Sequence, residues 1–147
     1  WSKKLDKFTP LINARKETLG EKVTFKSLIQ SSRCLVIADG YYEWKRGENI
    51  KIPFYFFRKD KRTMYFAAIY QNYQFCIITR EASQIVSEVH TREPLILEEK
   101  HIADYLNTNI NANSFLDSIP GPNLEFFEVS KEVNKPINND PSLINQI

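Results

Sequence analysis

Cysteine, histidine, glycine and methionine are all scarce in this chain, with two, two, four and one among 147 residues. With no Cys-x-x-Cys pair and only His90 and His101, the donor set for zinc is lacking, and neither a metal nor a cofactor is expected. Cys34 and Cys76 both lie in apolar, strand-like runs, where a buried free thiol is far commoner than a ligand or a nucleophile. No apolar run approaches the roughly 18 residues of a membrane span, and no charged, apolar and small-residue series marks a secretory signal. The expectation is a cytoplasmic chain with no membrane partner, close to the nucleoid if bacterial. Internal repeats, low-complexity tracts and long linkers are missing too, so one domain is expected over residues 1–147. The first residue is Trp1 rather than methionine, from which the domain is expected to be incomplete at its amino terminus.

What is present is ordinary in amount and uneven in placement. At 42% hydrophobic and 26% charged residues, the chain can bury one sizeable core. Its net charge is only +2, yet residues 1–62 hold fifteen Lys and Arg against seven Asp and Glu, while residues 63–147 hold five against eleven. In the basic part the cations alternate with Trp1, Phe8, Tyr41, Tyr42, Trp44, Phe54, Tyr55, Phe56 and Phe57. Such a mixture suits a single-stranded nucleic acid, with cations on phosphates and rings on bases; it equally suits a solvated basic face over an aromatic core.

The order of elements points to α+β. An irregular polar segment to Pro10 leads into a short extended piece at residues 11–15, and Thr24 is placed to cap a helix with Phe25, Leu28 and Ile29 at helical spacing. Alternation in residues 34–38, a turn at Asp39-Gly40 and strand-forming Tyr41 to Trp44 predict two strands joined by a tight loop. Further strands are expected at 53–58, 64–70 and 74–79, making a meander or a curled antiparallel sheet. The period then changes: helices are expected at 81–89, 98–106 and 113–119, with short strands at 95–97 and 124–129. In the turn-rich end, Val129, Val133, Ile137, Leu143 and Ile144 are expected to anchor the chain to the body.

One acid stands out against this pattern. Glu43 sits among aromatic residues on a predicted sheet, where a carboxylate can reach solvent, pair with Lys45 or Arg46, or keep a raised pKa for proton transfer. Local sequence does not choose between these.

Five segments in a fixed order do more. These are LINARKET at 11–18, RCLVIADGYYEW at 33–44, FCIITREA at 75–82, HTREPLIL at 90–97 and VSKEVNKPINNDPSLI at 129–144. Together they resemble the SRAP family, named for SOS response-associated peptidases, and the likeness runs along almost the whole chain. The resemblance implies an α+β fold with a curled, pseudo-barrel antiparallel sheet and short flanking helices. It also implies covalent capture of abasic sites in single-stranded DNA, through a cysteine that follows the initiator methionine and closes a thiazolidine on the sugar aldehyde. Neither Cys34 nor Cys76 matches that cysteine, so the activity is expected of the full-length parent, and this chain alone is expected to be inactive.

Carried over residue by residue, the resemblance gives Asn13, Glu43 and His90 as catalytic positions. Glu43 and His90 would move protons, and Asn13 would hold the amine or a sugar hydroxyl. Arg15 and Arg92 match phosphate-holding arginines, Trp44 and Trp1 match stacking surfaces, and Thr79 matches a threonine near the site. Read without the family, His90 is a helix-end cap, Arg15 and Arg92 are ion-pair partners of Glu17 and Glu93, and Trp44 is core; His101 is given no role. Two positions depart from the family pattern: Ile37 stands where proline is usual, and Glu93 stands where Met or Arg is usual, adding an acid beside a phosphate contact. The partner expected is abasic single-stranded DNA, bound by a monomer; a thiol peptidase acting on proteins and a non-covalent single-strand binding module are the competing readings.

Overall fold

A computed structural model describes residues 11–47 and 50–147. In chain order the strands are β1 (Asn13–Arg15), β2 (Arg33–Ala38), β3 (Gly40–Arg46), β4 (Lys51–Arg58), β5 (Met64–Gln71), β6 (Gln74–Glu81), β7 (Arg92–Pro94), β8 (Ile96–Leu97) and β9 (Leu124–Glu128). The α-helices are α1 (Val23–Ser31), α2 (Gln84–Ser87), α3 (Glu99–Leu106) and α4 (Ala112–Asp117). The α+β class expected from the sequence is observed, with the strands shared between two sheets: β3–β4, β4–β9, β5–β6 and β5–β8 pair antiparallel, and β1 pairs with β6 in parallel. The chain forms two compact units.

The first unit is built on strands in the order β1-β6-β5-β2, with β8 alongside β5. Its core gathers Phe25, Leu28 and Ile29 of α1 with Ala67 and Ile69 of β5, Cys76 and Ile78 of β6, and Tyr105 and Leu116 from α3 and α4. Helical spacing puts the three α1 side chains on one stripe, and burial of that stripe holds a nine-residue helix that would be marginal alone. The helix begins at Val23 behind Lys22, without a side-chain cap, so Thr24 lies inside the first turn rather than capping it. Arg33 closes the far end. Its buried guanidinium donates to the carbonyls of Ile29, Tyr105, Asn107 and Ile110, satisfying the carboxyl-terminal ends of α1 and α3 and the loop beyond. The Tyr105 hydroxyl donates to the Ala68 carbonyl at 2.6 Å.

The second unit holds the sheet β3-β4-β9. Its central strand reads KIPFYFFR because both faces are covered by rings. On one face Tyr41 and Phe126 stack on either side of Phe56, at centroid distances of 5.1 and 4.9 Å. On the other, Tyr55 meets Tyr42 at 5.4 Å and Phe127 at 5.9 Å. These cross-strand pairs follow from the register Tyr41↔Phe56↔Phe126 and Tyr42↔Tyr55↔Phe127.

Several local expectations change. The strands flanking Asp39-Gly40 do not pair with each other: β2 pairs with β5 and β3 with β4. A tight hairpin needs residues at positive φ, and Gly40 is not one; the turn that has them is Asn72-Tyr73 between β5 and β6, at φ 49 and 61°. Gly40 is needed instead for close approach, because a Cβ there would collide with the Tyr55 ring and the Phe56 carbonyl. The helix expected at 81–89 shrinks to the four residues of α2, since the chain before it is still strand β6. Near the end, Val129 is buried and Val133 and Leu143 are half-buried, whereas Ile137 and Ile144 are 89% and 43% exposed and do not anchor.

Candidate functional site

The second unit contains an open pocket of about 320 Å³ lined by Glu43, Trp44, Arg46, Lys51, His90 and Asn134. Strand β3 supplies three of these. Side chains alternate along a strand, so Glu43 stands on the face of its cross-strand neighbour Phe54, while Trp44 and Arg46 share the opposite face with Lys51. Trp44 is fixed by its indole N–H, which donates to Asn134 Oδ1 at 2.7 Å.

Glu43 and His90 meet in this pocket. Glu43 Oε1 lies 3.9 Å from His90 Nδ1, with the two side chains 24% and 32% exposed. At that separation they form an ion pair only when the imidazole is charged, and a small shift of either group makes a hydrogen bond. Burial pushes the Glu43 carboxyl above the ordinary carboxylate range, an effect partly offset by His90 and by a backbone hydrogen bond at Trp44. The His90 ring is oriented by the chain two residues on: the Arg92 amide donates to Nδ1 at 3.1 Å, and the Arg92 carbonyl is 3.0 Å away. Nδ1 accepts from the Arg92 amide when the ring proton is on Nε2, and donates to the Arg92 carbonyl when Nδ1 is protonated. The pair therefore offers a carboxyl that keeps its proton to higher pH than an exposed glutamate, next to an imidazole held in place by the Arg92 backbone, an arrangement suited to acid–base chemistry.

Glu93 does not project beside the arginine as an extra surface charge. It is buried, and its carboxylate accepts from both the amide and the hydroxyl of Ser83, at 3.0 and 2.6 Å, at the start of α2. This contact ties together the two ends of the segment that carries His90 and Arg92.

Asn13, Arg15 and Thr79 belong to the first unit. Asn13 and Arg15 are exposed on β1 of the first unit, on either side of the buried Ala14, and Arg15 is in register with Thr79 of β6, which is buried. The structure thus joins Glu43, His90 and Trp44 in one pocket with Arg92 next to His90, and sets Arg15 beside Thr79. Trp1 lies outside the described residues. Arg46, Lys51 and Asn134 were not among the expected residues. Asn134 falls within the last of the five segments, but nothing local connects it to an indole 90 residues earlier. Among the described residues no group of three or more His, Cys, Asp and Glu side chains is arranged to hold a metal ion, and no helix is long and apolar enough to cross a membrane.

Residues 1–136 match the model of the family described as SOS response associated peptidase (SRAP). The chain is 35% identical to the abasic site processing protein YoqW of Bacillus subtilis, over 91% of this chain and 66% of that protein. It is 30% identical to the abasic site processing protein YedK of Escherichia coli, over 94% of this chain and 68% of that protein. A crystal structure of a protein from Bacteroides thetaiotaomicron superposes with a TM-score of 0.82 at 25% identity, covering 92% of this chain and 65% of that one. The chain spans about two thirds of the length of these relatives. The five ordered segments, the two-sheet α+β fold and the match over 1–136 lead to one conclusion: the chain belongs to the SRAP family.

Proposed function

We propose that the protein to which this chain belongs senses abasic sites in single-stranded DNA and captures them covalently, with Glu43 and His90 moving the protons. The open form of an abasic sugar is an aldehyde. An amino-terminal cysteine of the complete protein adds its amine to that carbon, water leaves, and the thiol closes on the same carbon to give a thiazolidine. Opening the sugar and expelling water both need a proton donor, and closing the ring needs an acceptor. A carboxyl with a raised pKa beside an imidazole supplies both.

The observation that carries this reading is the 3.9 Å approach of Glu43 to His90 in a pocket open to basic and aromatic side chains. The names of the relatives, abasic site processing proteins, support the substrate class. The chain's own thiols suit the nucleophile poorly: burial pushes Cys76 up to about 11, and also raises the half-buried Cys34. The test is to incubate the complete protein with a single-stranded oligonucleotide carrying one abasic site and run a denaturing gel. A shifted band absent with the undamaged strand is expected. A complex that salt and denaturant both dissolve would make this a non-covalent binding module instead.

A further inference from the structure

We propose that Arg46 and Lys51 form a phosphodiester subsite that holds the DNA strand next to the nucleotide engaged at Glu43 and His90. The inference rests on the function proposed above and adds to it a place for the neighbouring backbone. Arg46 and Lys51 are direct cross-strand partners in the β3–β4 pair, and both line the pocket. Like charges set opposite each other on a sheet repel, so the pair is unfavourable unless an anion lies between or above them.

Nothing among the described residues supplies that anion. In the same unit Arg58 and Arg62 both bond Asp60, Lys135 bonds Glu132, and Lys61 lies over the Phe57 ring, but among the described residues neither Arg46 nor Lys51 has an acidic partner. The geometry suits a nucleic-acid backbone. Arg46 is two residues beyond Trp44 on the same face of β3, about 7 Å along the strand, so a nucleotide resting near the indole brings a phosphate within reach of the guanidinium. The guanidinium fork and the ammonium together can hold two phosphate oxygens without reading a base. Arg15 and Arg92 are separate positions, and neither lines this pocket.

The test compares the complete protein with its Arg46→Ala/Lys51→Ala form, and with a Lys26→Ala/Lys100→Ala form of equal charge loss. Binding of an undamaged single-stranded oligonucleotide is followed by fluorescence anisotropy across a salt series. Loss of two phosphate contacts lowers the slope of log affinity against log salt by about 1.4, so the parent should lose about sevenfold more affinity than the variant between roughly 50 and 200 mM salt. The control form should keep the parental slope. Equal slopes in parent and Arg46→Ala/Lys51→Ala forms overturn the subsite, as does an equal fall in the control. Cross-linking of the abasic oligonucleotide by the parent is scored in parallel on a denaturing gel. Its failure with a lowered variant slope rejects the covalent function and leaves the subsite standing.

Discussion

Glu43 is a carboxyl whose surroundings favour its neutral form, and that has consequences for both activity and stability. If it transfers protons, Glu43→Gln in the complete protein should slow cross-linking by on the order of a hundredfold while leaving non-covalent affinity for undamaged DNA unchanged. An equal loss of both would assign Glu43 to binding alone. The stability effect has a definite sign. A carboxyl with a folded pKa above its unfolded value binds more protons when folded, so its contribution falls as pH rises through the folded value. Glu43→Gln should therefore melt higher than the parent near neutral pH, and this advantage should vanish below the ordinary carboxylate range. Thermal melts across that interval check the sign, and a constant difference at every pH would mean that ionisation of Glu43 is not the cause.

At the scale of elements, two polar residues hold segments that periodicity alone could not place. Glu93 satisfies the amide and hydroxyl of Ser83 and so fixes the start of α2 against β7 in the stretch bearing His90. Glu93→Ala should cost about 2 kcal/mol by leaving the Ser83 groups without their acceptor. Denaturant titration measures this, and a value near zero would show that solvent replaces the carboxylate. Arg33 serves four carbonyls from two helix ends and a loop. Arg33→Met keeps much of the stem but none of the donors, and should destabilise the protein by about 3 kcal/mol or more. A loss below about 1 kcal/mol would mean that the helix ends find other donors.

For the whole molecule the relevant quantity is the distribution of charge. The small net charge conceals a basic part at residues 1–62 and an acidic part at 63–147. The single-strand binding proposed above would then depend on a few placed cations rather than on a general field. Arg15 is exposed on β1, and Arg92 is half-buried beside His90. Replacing either by Ala in the complete protein should weaken binding to any single strand and flatten the log affinity–log salt slope by about 0.7 each. Anisotropy titrations at several salt concentrations give the slope, and an unchanged one would remove that arginine from the phosphate contacts.

Much was legible in the residues themselves. The spacing of Phe25, Leu28 and Ile29 marks a buried helical stripe, and the short apolar runs of β5 and β6, rich in strand-forming residues, mark strands, because these signals arise within a turn or two of chain. The ordered segments point to Glu43 and His90 through the family they resemble. Strand pairing was not legible in the same way. Residues 33–46 read as two adjacent strands, yet they enter different sheets, because partners are chosen by which faces can be buried together rather than by local period. The approach of Glu43 to His90, the Trp44–Asn134 bond and the inward turn of Glu93 follow from that choice. Sequence determined which side chains are available for the proposed chemistry and where most helices and strands lie; tertiary structure alone decided which of them meet, since contacts between distant residues depend on sheet register and packing that no short stretch encodes.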